Sequence, residues 1–263
     1  MLVESLRSEE RPFASWQLHG LNQAPALLFS QIPSTNRWLR ENASKCTPGT
    51  LVLANAQESG RGRFDRVWRS PEDRNLYMSL LLQPDNIPML SWPHLTQVAA
   101  ITLAQFYVEL GVDAYVKWPN DILWNKHKMC GILSERTSRN AGFALVLGIG
   151  ININSTEEDF TGLDRLAASL SMALGFRINR EVFLSEFICR LQRSFDSFAC
   201  TGIAPWLEAW RAMKNFVGSS ARLVQMDKTT HGTIAGIMDD GSLLFTPEGL
   251  SEPIKVYSGD LEV

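Results

Sequence analysis

Residues 117–135 read KWPNDILWNKHKMCGILSE. Three lysines, Lys117, Lys126 and Lys128, stand among short apolar runs. Lys117 leads into Trp118-Pro119-Asn120-Asp121, and Pro119 restricts Trp118 to extended backbone, which suggests a fixed turn. Lys128 then opens the strand-like run Met129–Ser134. With AYVKW before it, ALVLGIGIN after it and the short turns NKHK and TSRNAG between, the stretch predicts hairpins in a mixed sheet. Regular alternation of strands with helices is not what it shows. A lysine at the edge of a central strand reaches into a cleft, where its compact charge steadies negative charge building on a phosphoryl group. Lys126 and Lys128 also fit an ordinary charged turn.

Upstream, PALLFSQI predicts a strand and PSTNRWLREN a turn capping a helix, with Ser34 or Thr35 as N-cap. GTLVLANAQ and LYMSLLLQP predict two more strands. Residues 91–110 carry helical periodicity, ended by Gly111. Downstream, helices are expected at about 162–174, 180–198 and 204–214, the middle one burying Phe183, Phe187, Leu191 and Phe195. After Phe216 come short strands joined by Gly- and Asp-containing turns, including Asp240-Gly241. The chain divides on this reading into an extension (1–24), a main domain (25–214) and a small barrel-like module (215–263). That module is marginal alone and is expected to lean on the main domain.

The 263 residues are 45% apolar and 10% aromatic, enough for a sizeable core. A net charge of -3, from 25 basic and 28 acidic residues, argues against a general nucleic-acid binder. Cys46, Cys130, Cys189 and Cys200 lack metal-like spacing, and Cys130 and Cys189 read as reduced core cysteines. The N-terminus has no secretory pattern, and FALVLGIGI is too short to span a bilayer. A soluble, cytoplasmic protein is expected.

The segment GRGRFDRVW (60–68) begins a run of four arginines, Arg61, Arg63, Arg66 and Arg69. Gly60 and Gly62 permit close backbone approach, and arginine offers a planar fork to phosphate or carboxylate. The Gly-Lys-Ser/Thr ending of a P-loop and the dinucleotide fingerprint are both absent. The same arginines could form surface pairs with Glu58, Asp65, Glu72 and Asp73. In GIGININ (148–154), Gly148 and Gly150 allow close approach, while Asn152 and Asn154 point the same way. Either a ligand or the neighbouring turn supplies those amides with partners. Asn120 and Asp121 either cap their own turn, or Asp121 helps hold magnesium.

Five stretches, STN (34–36), GRGR with Arg66 and Trp68, KWPND (117–121), KMCGIL (128–133) and GIGININ, occur in an order and spacing that resembles the biotin-protein ligases. The resemblance implies an α/β fold: a mixed sheet flanked by helices, of the class II aminoacyl-tRNA synthetase and biotin ligase type, followed by a small SH3-like barrel. It implies that biotin and ATP form biotinyl-5'-adenylate, with Mg2+, and that biotin then passes to a lysine of a biotin carboxyl carrier domain. By the same resemblance Ser34, Thr35, Asn36, Gln57, Gly60, Arg61, Gly62, Arg63, Lys128 and Gly131 face biotin. Arg61, Arg63, Arg66, Trp68, Lys117, Asn120 and Asn152 lie near the nucleotide, and Asp121 near the metal. Lys128 and Arg63 carry the chemistry. Some family members add an N-terminal helix-turn-helix domain; the residues before Pro25 are too few for one, so no DNA-binding role is expected. No membrane partner is expected, and the resemblance raises a homodimer paired through the catalytic sheet. Asp65 stands where the family usually has glycine, and Cys130 where it has a small residue. Lipoate or octanoate ligases, and a non-catalytic biotin or adenylate binder, are the alternatives.

Overall fold

The computed structural model describes every residue except Met1, Asp65, Ala141, Lys214, Asn215 and Asp227. The hairpins around residues 114–151 form four strands of a seven-stranded mixed sheet. Its strands are β1 (Ala26–Ile32), β2 (Leu51–Gln57), β3 (Leu76–Leu82), β4 (Ala114–Lys117), β5 (Asp121–Trp124), β6 (His127–Arg139) and β7 (Gly142–Ile151). The spatial order is β1-β2-β3-β7-β6-β5-β4. β1 and β2 pair in parallel, and each other neighbouring pair is antiparallel. The parallel crossover passes through helix α2 (Thr35–Asn42), where the Ser34 hydroxyl accepts from the Arg37 N–H. The β5–β6 turn is Asn125-Lys126, with φ of 47° and 68°, as a two-residue type I′ loop requires.

Alternation along the strands separates two faces. Leu51, Leu53, Leu76, Met78, Leu80, Leu145, Leu147, Ile149 and Ile151 join the large core with α3 (Trp92–Glu109) and α5 (Arg180–Thr201). Phe183, Phe187, Leu191 and Phe195 are buried as their spacing predicts; full burial of such a side chain contributes about 1.5–3 kcal/mol. On the opposite face Val52, Ala54, Leu81, Ala144 and Val146 pack with Leu39 of α2. Along β7 that face then continues as Gly148 and Gly150, and the apolar cover stops there.

Three expectations change. The helix expected at 162–174 reduces to α4 (Leu170–Leu174). Residues 161–169 instead form a strap beside Lys128, whose N–H donates to Leu166 O at 2.9 Å and whose carbonyl accepts from Ala168 N–H at 3.1 Å. β7 has ended at that point, and the strap's backbone takes up hydrogen bonds a neighbouring strand would otherwise satisfy. β6 extends to Arg139, so residues expected in a turn are strand. Cys189 is exposed rather than buried, because it lies between the core-facing Ile188 and Leu191 on α5.

The N-terminal residues, beginning with α1 (Leu2–Leu6), are bolted to the start of α5. Arg180, 1% exposed, donates to Glu10 Oε1 at 2.6 Å and to Asn55 Oδ1 and Asn75 O at 3.2 Å, with its guanidinium 5.1 Å from the Trp16 ring centre. Beyond α6 (Ala204–Ala212) lies an antiparallel sheet of β8 (Ser220–Gln225), β9 (Lys228–Ile237), β10 (Leu243–Pro247), β11 (Ile254–Val256) and β12 (Asp260–Glu262). Its order is β11-β10-β9-β8-β12. It docks on α3 and on the β4 end of the large sheet. Gly241 O accepts from Gln97 Nε2 (2.8 Å) and Trp118 Nε1 (3.1 Å), and Leu261 O accepts from Lys117 Nζ (3.0 Å).

Candidate active site

Strand register places one row of residues across the uncovered face. Lys117, Asp121, Gly131, Gly150, Tyr77 and Ala54 are successive cross-strand partners from β4 to β2. Leu133, Gly148, Ser79 and Val52 make the next row. Cross-strand partners share a face, so the glycines leave a trough between polar neighbours. Trp68 and Asn36 lie in it, and Lys128 lies over Gly131. A Cβ on Gly150 would meet the Trp68 ring at 2.5 Å, and one on Gly148 would meet Asn36 Oδ1 at 2.0 Å. The close approach expected at these glycines is therefore made by Trp68 and Asn36.

A cavity of about 550 Å³ opens over the trough. Of the residues expected at the site, Ser34, Thr35, Asn36, Gln57, Arg61, Gly62, Arg63, Arg66, Trp68, Asn120, Asp121, Lys128, Gly131 and Asn152 line it. Gly60 and Lys117 do not. Gly60 packs under the loop, where a Cβ would sit 2.4 Å from Trp68 O. Lys117 turns instead toward the C-terminal sheet. Asp65 lies outside the described residues.

At the α2 side of the cavity the polar groups satisfy one another. Gln57 Oε1 accepts from the Thr35 N–H at 2.9 Å, and Gln57 Nε2 donates to Ser70 Oγ at 3.0 Å. The Ser79 hydroxyl bridges Thr35 Oγ1 (2.8 Å) and Asn36 Oδ1 (2.5 Å), while Asn36 Nδ2 reaches Glu135. A satisfied buried network of this kind holds its members in one arrangement. The arginine loop closes on itself, with Gly62 N–H donating to Arg66 O and Trp68 N–H to Gly60 O. Arg63 Nη1 donates to Asn120 Oδ1 at 3.2 Å, and Asn120 Nδ2 to Ile132 O at 2.6 Å. Asn152 finds its partners in protein backbone, Lys128 O and Ala168 O, each at 3.2 Å.

The charged centre is Asp121. Its Oδ1 lies 2.7 Å from Lys128 Nζ and its Oδ2 3.2 Å from Lys117 Nζ. Burial pushes the carboxyl up, but Lys128 and Lys117 together outweigh burial and hold it below its usual range. Lys128 Nζ stands 5.5 Å from the Trp68 ring centre. Asp260, on β12, lines the cavity as well and was not anticipated from the sequence. It pairs with Arg66, with Arg165 at 2.9 Å and with Lys117 at 3.6 Å. Burial raises its carboxyl too, and Lys117, Arg66 and Arg165 reverse the shift and hold it well below the usual range.

The expectation that Asp121 holds magnesium meets a carboxylate whose two oxygens both face ammonium groups. A hard cation coordinated there would have to displace both lysines. Among the described residues no group of three or more His, Cys, Asp or Glu side chains is arranged to hold a metal ion. The protein side chains by themselves do not fit a resident metal.

Residues 28–152 match the biotin/lipoate A/B protein ligase family. The chain is 37% identical over 237 residues to the bifunctional ligase/repressor BirA of Bacillus subtilis, covering 88% of this chain and 72% of that protein. The chain belongs to the biotin protein ligase family. Another family member, the biotin–[acetyl-CoA-carboxylase] ligase of Paracoccus denitrificans, is 30% identical over 231 residues, 92% of its length and 82% of this chain. The biotin protein ligase from Aquifex aeolicus in complex with biotin and ATP superposes with a TM-score of 0.75 at 25% identity, covering 90% of this chain and 97% of that one. Among the described residues of this biotin ligase-family chain, no helix is long and apolar enough to cross a membrane.

Proposed function

We propose that the cavity binds biotin and ATP side by side and that the chain is a biotin–protein ligase working in two steps. The biotin carboxylate attacks the α-phosphate of ATP, the bond to the departing pyrophosphate breaks, and biotinyl-5'-adenylate forms. The ε-amine of a lysine in a biotin carboxyl carrier domain then attacks the mixed anhydride, an amide forms, and AMP leaves. The observation that supports the reading is the Lys128–Asp121 pair, inside one cavity with Trp68 and the arginine loop, with Lys117 holding Asp121 from outside the cavity.

Each side chain has a role suited to its place. Ser34, Thr35, Asn36 and Gln57 form the satisfied polar wall that receives the biotin ring. Gly131, Gly150 and Trp68 form a flat floor that suits a ring system. Lys128, oriented by Asp121, presents its ammonium where the carboxylate and the α-phosphate would meet. Two anions repel, so fixed positive charge must bring them together before attack. Arg61 and Arg63 contribute charge from the loop, with Arg63 steadied by Asn120. Asn152 fixes the backbone of the strap that faces the nucleotide. Lys117 acts at one remove, by holding Asp121 and Asp260. Magnesium would come with the phosphates of ATP, supplying charge neutralisation there. The arginine loop and residues 162–167, which wall the cavity, limit the access of water to the anhydride.

The experiment is pyrophosphate release with ATP, Mg2+ and either biotin or lipoate. Release with biotin and not lipoate is expected. Release with lipoate alone would reassign the chain to the lipoate branch of the family.

A further inference from the structure

Resting on that reading, we infer that Arg69 is a positioning residue that fastens the 161–169 strap across the cavity and so governs how long the adenylate is retained. The strap supplies Gly162, Leu163, Asp164, Arg165, Leu166 and Ala167 to the cavity wall. Its far end is fixed by the backbone bonds of Leu166 and Ala168 to Lys128, and by Arg165, which pairs with Asp260. Its near end leaves a short 3-10 turn, Glu158–Phe160. Carbonyls at the end of such a turn have no partner inside it and carry partial negative charge.

Arg69 meets them there. Its Nη1 donates to Thr161 O at 2.7 Å, and its Nη2 lies 3.5 Å from Gly162 O. Arg74 stands 3.7 Å from Asp159 on the same turn. Arg69 directly follows Trp68, which lies on the cavity floor, so a single short stretch ties floor and strap together. The guanidinium fork makes charge-assisted bonds to backbone, which fix the strap whatever side chains it carries. Without Arg69 the near end keeps only the longer Arg74–Asp159 contact on the preceding turn, and the strap is held mainly from its far side. A product enclosed by it then escapes more readily, and a nucleotide arriving at the site pays the cost of ordering the strap.

The test compares wild type with Arg69→Gln and Arg69→Lys. Biotinyl-adenylate is formed from biotin and ATP without acceptor, and its retention on the protein is followed over time by rapid gel filtration. Arg69→Gln is expected to shorten the retention half-life at least tenfold and to raise KM for ATP, with Kd for biotin alone within twofold of wild type. Arg69→Lys is expected to restore part of the retention. A half-life within twofold of wild type in Arg69→Gln would overturn the inference, as would an equal loss of affinity for biotin alone. Amide hydrogen exchange of residues 161–169 without ligand gives a second readout, with faster exchange expected in Arg69→Gln. If wild type formed no adenylate, the ligase reading would fail. The exchange comparison would still decide the fastening role, and equal exchange in the two proteins would refute it.

Discussion

Lys128 keeps 26% of its side chain exposed, while Asp121, which orients it, keeps 5%. A partly open cation held by a buried anion is how a charge can be aimed at a ligand while its direction stays fixed. The glycines of the floor are equally specific. A Cβ at Gly150 would fall 2.5 Å from the Trp68 ring, too close for either to stay in place. Gly150→Ala is therefore expected to displace Trp68, destabilise the protein by about 1–3 kcal/mol, and raise KM for ATP more than it lowers kcat. Denaturant melts and steady-state kinetics check both. In the sequence this position read as a close backbone approach, with no partner named. Spacing alone shows that something comes near a glycine, and it cannot distinguish a ligand from the protein's own indole.

Among the elements, the antiparallel half of the sheet was legible because alternation, the Asn-Lys turn and Gly111 are local signals. The strap was not. Residues 162–174 carry an apolar spacing compatible with helix, yet the open backbone edge beside Lys128 draws 166–168 into strand-like pairing. Tertiary hydrogen bonding overrides propensity there. The Arg180 cluster was invisible for a related reason, since it joins Glu10, Asp73 and Asn75, which are far apart along the chain. Arg180→Met is expected to destabilise the protein by about 3–5 kcal/mol, because it leaves Glu10 without its cation. The double variant Arg180→Met/Glu10→Gln is expected to recover part of that loss. Urea unfolding of the three proteins measures the difference.

For the whole molecule, the C-terminal sheet completes the cavity. The change of character after Phe216 revealed the second sheet in the sequence, but nothing local revealed that Asp260 reaches back to Arg66, Arg165 and Lys117. Such a contact depends on how two sheets dock. It also ties stability to acid pH. Asp121 and Asp260 both titrate below their ordinary value of 3.8 in the folded protein. Their stabilising contribution is thus fully present above that value and is lost as pH falls through the lower, folded values. Tm is expected to show no loss from these groups between about pH 5 and 8, and to drop below about pH 4. Asp260→Asn is expected to make that acid drop shallower, as thermal melts across pH would show.

In the proposed reaction Lys128, aimed by Asp121, stabilises charge as the biotin carboxylate attacks the α-phosphate. The most direct measurement is single-turnover formation of biotinyl-adenylate by wild type and Lys128→Ala, with biotin affinity measured separately without ATP. Rapid formation is expected in wild type and a loss of about 100- to 1,000-fold in the variant, with biotin affinity changed far less. Formation by Lys128→Ala at the wild-type rate, or none by wild type, would contradict it.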